Sequence, residues 1–141
     1  MSALQTGLWR EFPGDTLRTA RDARRFVTEH LTALAAAATA VDTAVQIVSE
    51  LAANAVEHAS GDRIRVSLVV NSGGHLTLTV TDQGIRRPAD GLVAHRAPVT
   101  AEGGRGLDLV EQLALGWGWY YSTGRRGMSV WAKIALMDET S

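Results

Sequence analysis

Apolar and polar positions fall into a short alternating stretch, two helical repeats, an alternating pair, an aperiodic segment and a closing helix with two strands. Leu8-Trp9-Arg10-Glu11-Phe12 alternates well enough for an edge strand, ended by Pro13-Gly14. Asp15 or Thr16 can cap a helix running to about Leu34, with Leu17, Ala20, Ala23, Phe26, Val27, Leu31 and Leu34 near helical spacing. The Ala-rich stretch 35–40 fits either a continuation of that helix or a turn. A second helix is predicted from about Val41 to Ala59, stopped by Ser60-Gly61. Val41, Val45, Val48, Ala52, Ala55 and Ala59 share one face, expected to pack on a sheet. Glu50, Asn54, Glu57 and His58 are read as the opposite face, turned to solvent or a ligand.

Ile64, Val66, Leu68 and Val70 then alternate with polar neighbours. Asn71-Ser72-Gly73-Gly74 turns the chain, and Leu76, Leu78 and Val80 alternate with threonines, which together predict a hairpin. Asp82 keeps the parity of Val80, so a continuing strand points it to the buried side. From Gln83 to Arg105 no period persists; the segment carries two prolines and several glycines and arginines, and a structureless stretch of that length is usually a functional lid or disordered. A helix is expected from near Gly106-Leu107 to Leu115-Gly116. Two strands follow, Trp117 to Ser122 and Met128 to Leu136, joined by a turn at 123–127.

Composition narrows the class. A chain of 141 residues, 45% apolar and 21% charged, suits one globular domain spanning 1–141. The formal net charge of −1 gives no global field for nucleic acid or an anionic membrane. With no cysteine, disulfides and thiolate chemistry are excluded. No apolar run is long enough for a bilayer, and Met1–Gln5 lacks the basic-then-apolar order of a secretion signal. The expected location is cytoplasmic.

Four features carry candidate chemistry. Glu50, Asn54 and His58 form an i, i+4, i+8 ladder. Asn offers a neutral oxygen that suits Mg²⁺ when phosphates bring the charge, although a solvated helix face would look the same. Asp82-Gln83-Gly84 puts a carboxylate at the end of an apolar strand, where it is costly unless paired. It fits acceptance from an exocyclic amino group, or a simple Asp turn. Gly103-Gly104-Arg105-Gly106-Leu107 opens a helix with freed backbone amides and a fixed positive charge, the elements of an anion site. It matches neither a Walker pattern nor a dinucleotide fingerprint. Gly127-Met128-Ser129-Val130 enters the last strand and by itself reads as a hairpin edge.

In this order the four features resemble the ATP-binding domain of the gyrase–chaperone–histidine-kinase–mismatch-repair (GHKL) superfamily. Within it the chain is most similar to the short bacterial anti-sigma factors that are also serine-protein kinases. Glu50 to Ala59 matches the N box, Val80 to Gly84 and on to Pro88 the first glycine box, Gly103 to Val110 the second, and Gly127 to Trp131 the closing strand. The first glycine box has Arg86 where a second glycine often stands, and Ser129 replaces a threonine.

The resemblance implies an α/β two-layer sandwich, a mixed, mostly antiparallel sheet with helices on one face, and a mobile ATP lid over about 83–105. It implies ATP and Mg²⁺ as cofactors. Asn54 would ligate Mg²⁺; His58, Gly104, Arg105, Gly106 and Leu107 would belong to the ATP site; Asp82 would bind the adenine amino group with Gly84 beside the ring. Ser129 would help hold adenine through water, and Glu50 would be the general base. The implied function is an anti-sigma factor with serine/threonine kinase activity, phosphorylating an antagonist protein and working as a homodimer. A non-catalytic ATP-gated binding module and a detached histidine-kinase catalytic domain are the alternatives. Arg18 and Arg21, one turn apart, are candidate contacts to an acidic patch on the sigma factor or antagonist, or a solvated basic face.

Overall fold

A computed structural model of the chain describes residues 6–14, 16, 18–58, 63–82, 104–121 and 128–137, with backbone alone at 6, 57, 58, 104–106 and 121. Its elements are β1 (Thr6–Pro13), α1 (Arg18–Ala33), α2 (Ala38–His58), β2 (Arg63–Val70), β3 (His75–Asp82), α3 (Gly104–Leu113), β4 (Gly116–Tyr121) and β5 (Met128–Ala135). The strands form one five-stranded sheet in the order β1-β2-β3-β5-β4, and every described pairing is antiparallel. The expected two-layer α/β arrangement is therefore present, with β1 at an edge. No described helix is long and apolar enough to cross a membrane.

Period-two patterning decides which sheet face is covered. Ile64, Val66 and Leu68 of β2 and Leu76, Leu78 and Val80 of β3 are buried under the helices, joined by Ala132 and Ile134 of β5. Phe26, Val27 and Leu31 of α1, Ile47, Val48 and Leu51 of α2, and Val110 of α3 close the core from above. The other face carries Trp9, Glu11, Arg65, Thr79, Thr81, Ser129 and Trp131, with the Arg65 guanidinium 4.1 Å from the Trp9 ring centre. On that face Trp131 lies over Gly118, where a Cβ would come within 3.0 Å of the indole nitrogen.

Thr16 caps α1 as expected, accepting from the Arg18 N–H at 3.1 Å. The Ala-rich stretch resolves as a turn. Ala35 takes φ 60°, Ala35 N–H donates to Thr32 O at 3.0 Å and Ala36 N–H to Leu31 O at 3.1 Å. Those paired bonds are a Schellman stop, in which a left-handed residue satisfies the last helical carbonyls. Of the two readings the alanines allowed, the turn holds, because termination is set by the hydrogen-bond pattern and not by composition.

Two expectations about helices need correction. The buried stripe of α2 is Ala40, Ala44, Ile47, Val48, Leu51 and Ala52, whereas Val41, Val45 and Ala55 are only partly buried. The helix packs against α1, the sheet and α3 together, so its apolar arc is wider than the narrow stripe read from the valines. Asn54 is consequently not opposite the core. It lies seven residues after Ile47, close to two helical turns, and so on the same side. The second correction is that α3 begins at Gly104 and ends at Leu113, placing the Gly-Arg-Gly run inside its first turn instead of before it.

Candidate functional site at the Asp82 end of the sheet

Chain direction brings the singled-out residues to one end. The α1–α2 turn is tied to Leu136, whose carbonyl accepts from Ala37 N–H at 2.9 Å, and Leu136 N–H donates to Gly74 O at 3.0 Å. That fixes the start of α2 at the β2–β3 turn. The C-terminal turns of α2 therefore reach the other end, just before β2 begins at Arg63, where Ile64 pairs with Asp82. At the far end of α3, Leu115 N–H donates to Lys133 O at 2.7 Å, near the same Gly74 end. The N-terminus of α3 thus points to the Asp82 end, roughly 15 Å away for ten residues. Asn54 with the backbone of His58, Asp82, and the first turn of α3 converge there without adjacency in sequence.

Asp82 is the last residue of β3 and is only 3% exposed, on the face toward the helices. In register it lies between Ile64 and Met128, and the row continues to Phe12 on one side and to the backbone of Tyr121 on the other. A carboxyl group ends an otherwise apolar stripe, a position that calls for polar partners. Glu50 and Asn54, one helical turn apart, are half-buried where α2 passes over this end. Among the described residues no cluster of three His, Asp or Glu could cage a metal. A neutral amide oxygen beside one carboxylate fits an ion that arrives with phosphate charge, as Mg²⁺ does.

Four N–H groups at the start of α3 have no carbonyl further back in the helix. Their partial positive charge faces the same end, with Gly104, Arg105 and Gly106 supplying the backbone and Leu107, 4% exposed, anchoring the turn in the core. Gly84 and the expected lid up to residue 103 lie outside the described residues, as do the side chains of His58 and Arg105. Arg18 and Arg21 are exposed in the first turn of α1, which also starts at this end, since Pro13 pairs with Arg63. Two cations at the positive end of a helix dipole are not stabilising there.

Ser129 is not brought to Asp82. It pairs in register with Thr81, on the opposite sheet face, and the two hydroxyl oxygens are 2.7 Å apart. The residue of β5 that shares a face and a rung with Asp82 is Met128. The signal was available: Met128 has the parity of Val130, Ala132 and Ile134, the same reasoning that placed Asp82.

No curated protein matches the chain. Among solved structures, a chain of the SiaB–SiaC complex from Pseudomonas aeruginosa superposes with a TM-score of 0.65, covering 89% of this chain and 88% of its own at 16% identity. At that identity the likeness speaks for the fold. The sequence pattern of the histidine kinase-like ATPase domain matches residues 14–134, and hence the helices, every strand but the edge strand β1, and the convergent end together. The chain belongs to the histidine kinase-like ATPase domain family.

Proposed function

We propose that the protein binds MgATP at the Asp82 end and transfers the γ-phosphate to a serine or threonine of a small antagonist protein, as an anti-sigma factor of the serine-kinase type. The observation that carries this reading is the convergence of Asn54, Asp82 and the α3 N-terminus on one end of the sheet. Membership in an ATPase-domain family supports ATP as the nucleotide. The solved neighbour is a complex of two proteins, which supports a protein as the partner.

Asp82 accepts from the adenine amino group, a donor that guanine lacks at that position. The first-turn amides of α3, with Arg105, receive phosphate oxygens. Asn54 would hold Mg²⁺, which would supply charge neutralisation at the phosphates. Glu50 takes the proton from the attacking hydroxyl. The new bond forms between that oxygen and the γ-phosphorus, the bond to the β-bridging oxygen breaks, and ADP leaves. Catalysis of this kind asks for positioning and charge neutralisation more than for covalent chemistry by the protein. Arg18 and Arg21 meet an acidic patch on the sigma factor or the antagonist, in the cytoplasm where those partners work. The β1 edge, with Trp9 exposed, pairs two copies into a homodimer.

The test is incubation of the protein with γ-labelled MgATP and its cognate antagonist. Acid-stable label on the antagonist is expected. Acid-labile label on the protein itself would make it a histidine-kinase catalytic domain. Tight ATP binding without any transfer would leave a non-catalytic ATP-gated module.

A further inference from the structure

The base end of the nucleotide site depends on which side chain of β5 stands beside Asp82, and the sheet register identifies it. Asp82 pairs with Met128, and Thr81 pairs with Ser129. Directly opposed residues in an antiparallel ladder project to the same face, with Cβ atoms about 4.5–5.5 Å apart. Along the helix-facing row the exposure is 6% at Phe12, 0% at Ile64 and 3% at Asp82, and it opens to half-burial at Met128. The row therefore leaves the packed core at the Asp82–Met128 rung. Ser129 is 2% exposed on the other face, its hydroxyl held by Thr81 at 2.7 Å. To reach the helix-facing side it would have to pass through the plane of the sheet.

Resting on the nucleotide reading above, we infer that Met128, and not Ser129, lines the base end of the site. The Asp82 carboxylate reads the polar edge of the purine while the Met128 thioether packs on its ring. Methionine suits this place. It is unbranched and polarizable, and makes favourable sulfur contacts with aromatic rings. It also brings no hydrogen-bond donor, so adenine selectivity on this rung comes from Asp82, without a hydroxyl from β5.

The chain has three methionines, at positions 1, 128 and 137, so a methyl-labelled sample reports on the site directly. The wild-type protein, labelled with ¹³C at the methionine methyls, is titrated with MgATP, and the Met128 resonance is assigned with Met128→Leu. The Met128 methyl is expected to shift under the purine ring current while Met1 and Met137 stay in place. Met128→Ala is expected to weaken ATP binding roughly fivefold or more, Met128→Leu to bind close to wild type, and Ser129→Ala to stay within about twofold. Saturable ATP binding with an unmoved Met128 methyl overturns the inference. So does a Ser129→Ala variant that loses as much affinity as Met128→Ala. A wild-type protein whose melting temperature MgATP does not raise removes the nucleotide reading itself, and this assignment with it.

Discussion

The two ends of the sheet are built on different terms. At the Gly74 end, backbone bonds tie one element to the next: Ala37 N–H to Leu136 O, Leu136 N–H to Gly74 O, and Leu115 N–H to Lys133 O, at 2.9, 3.0 and 2.7 Å. The hairpin turn is closed by Asn71, whose side-chain oxygen accepts from Gly73 and His75 N–H at 2.8 and 3.1 Å. At the Asp82 end the same elements present a buried carboxylate, a half-buried amide and a helix N-terminus. Among the described residues, backbone bonds between elements mark the Gly74 end, and the polar groups of the candidate site mark the other. Substitutions at the two ends should therefore separate folding from nucleotide chemistry.

The largest effects belong to the Asp82 end and should leave the fold alone. Asp82→Asn keeps the shape but can turn a donor toward guanine, so ATP discrimination over GTP should fall by roughly 10²-fold or more. Equal ATP preference in the variant and the wild type, by titration calorimetry, would return Asp82 to a structural role. Asn54→Ala should abolish Mg²⁺-dependent ATP binding. Glu50→Ala should bind ATP normally and slow transfer roughly 10²–10⁴-fold, because a base acts on the attacking hydroxyl and not on the bound nucleotide. Transfer at the wild-type rate would show that Glu50 only lines the helix.

Much of this division could be read before the structure. Strand parity placed Asp82 on the buried side, and the Asn-Ser-Gly-Gly turn placed its hairpin. Periodicity read part of the apolar side of α2: Val48 and Ala52 are fully buried and Val41, Val45 and Ala55 pack partly buried against the core, but a helix packed against α1, α3 and the sheet has a wider apolar arc than that stripe. The spacing Ala40–Ile47–Asn54 lies within that arc and makes the asparagine the polar end of an apolar row. Ser129 is a different case. A motif match gives a position in the chain, but a one-residue offset in a strand reverses the face, and only the register shows which side the hydroxyl takes. The convergence of α2, β3 and α3 depends on chain reversals and long-range pairing, which local patterns do not encode.

At the Gly74 end, Leu76→Ala should behave in the opposite way. Leu76 is fully buried and pairs with Ile134, far along β3 from Asp82. Truncation should cost about 2–5 kcal/mol of stability through lost burial and the cavity left behind. Measured below the unfolding transition, its ATP affinity should match the wild type. A tenfold loss of affinity in the folded variant would mean that the two ends are coupled through β3.

A smaller effect is expected from the exposed arginines at the Asp82 end. Reversing both, as Arg18→Glu with Arg21→Glu, should weaken the partner complex about tenfold, or ~1.4 kcal/mol, and flatten its salt dependence. Added acids at the positive end of α1 should meanwhile leave the fold slightly more stable. Those opposed signs distinguish docking from a general loss of structure. Partner binding unchanged after the double reversal would leave the arginines as a solvated face.

The smallest effect tests the anchored end by improving it. Ala35 is exposed and holds φ 60° so that its own N–H and that of Ala36 can close α1 on Thr32 and Leu31. The left-handed region costs a residue with a Cβ roughly 1–2 kcal/mol, and glycine escapes that cost. Glycine also has more freedom to lose on folding, which returns roughly 0.5–1 kcal/mol of the gain. Ala35→Gly should then stabilise the protein by about 0.5–1 kcal/mol and raise its melting temperature by roughly 2–4 °C. Because the turn lies at the Gly74 end, ATP affinity and selectivity should not move. A lower melting temperature would show that the Ala35 methyl contributes more than its backbone strain costs, and a changed ATP affinity would show that the start of α2 is felt at Asn54.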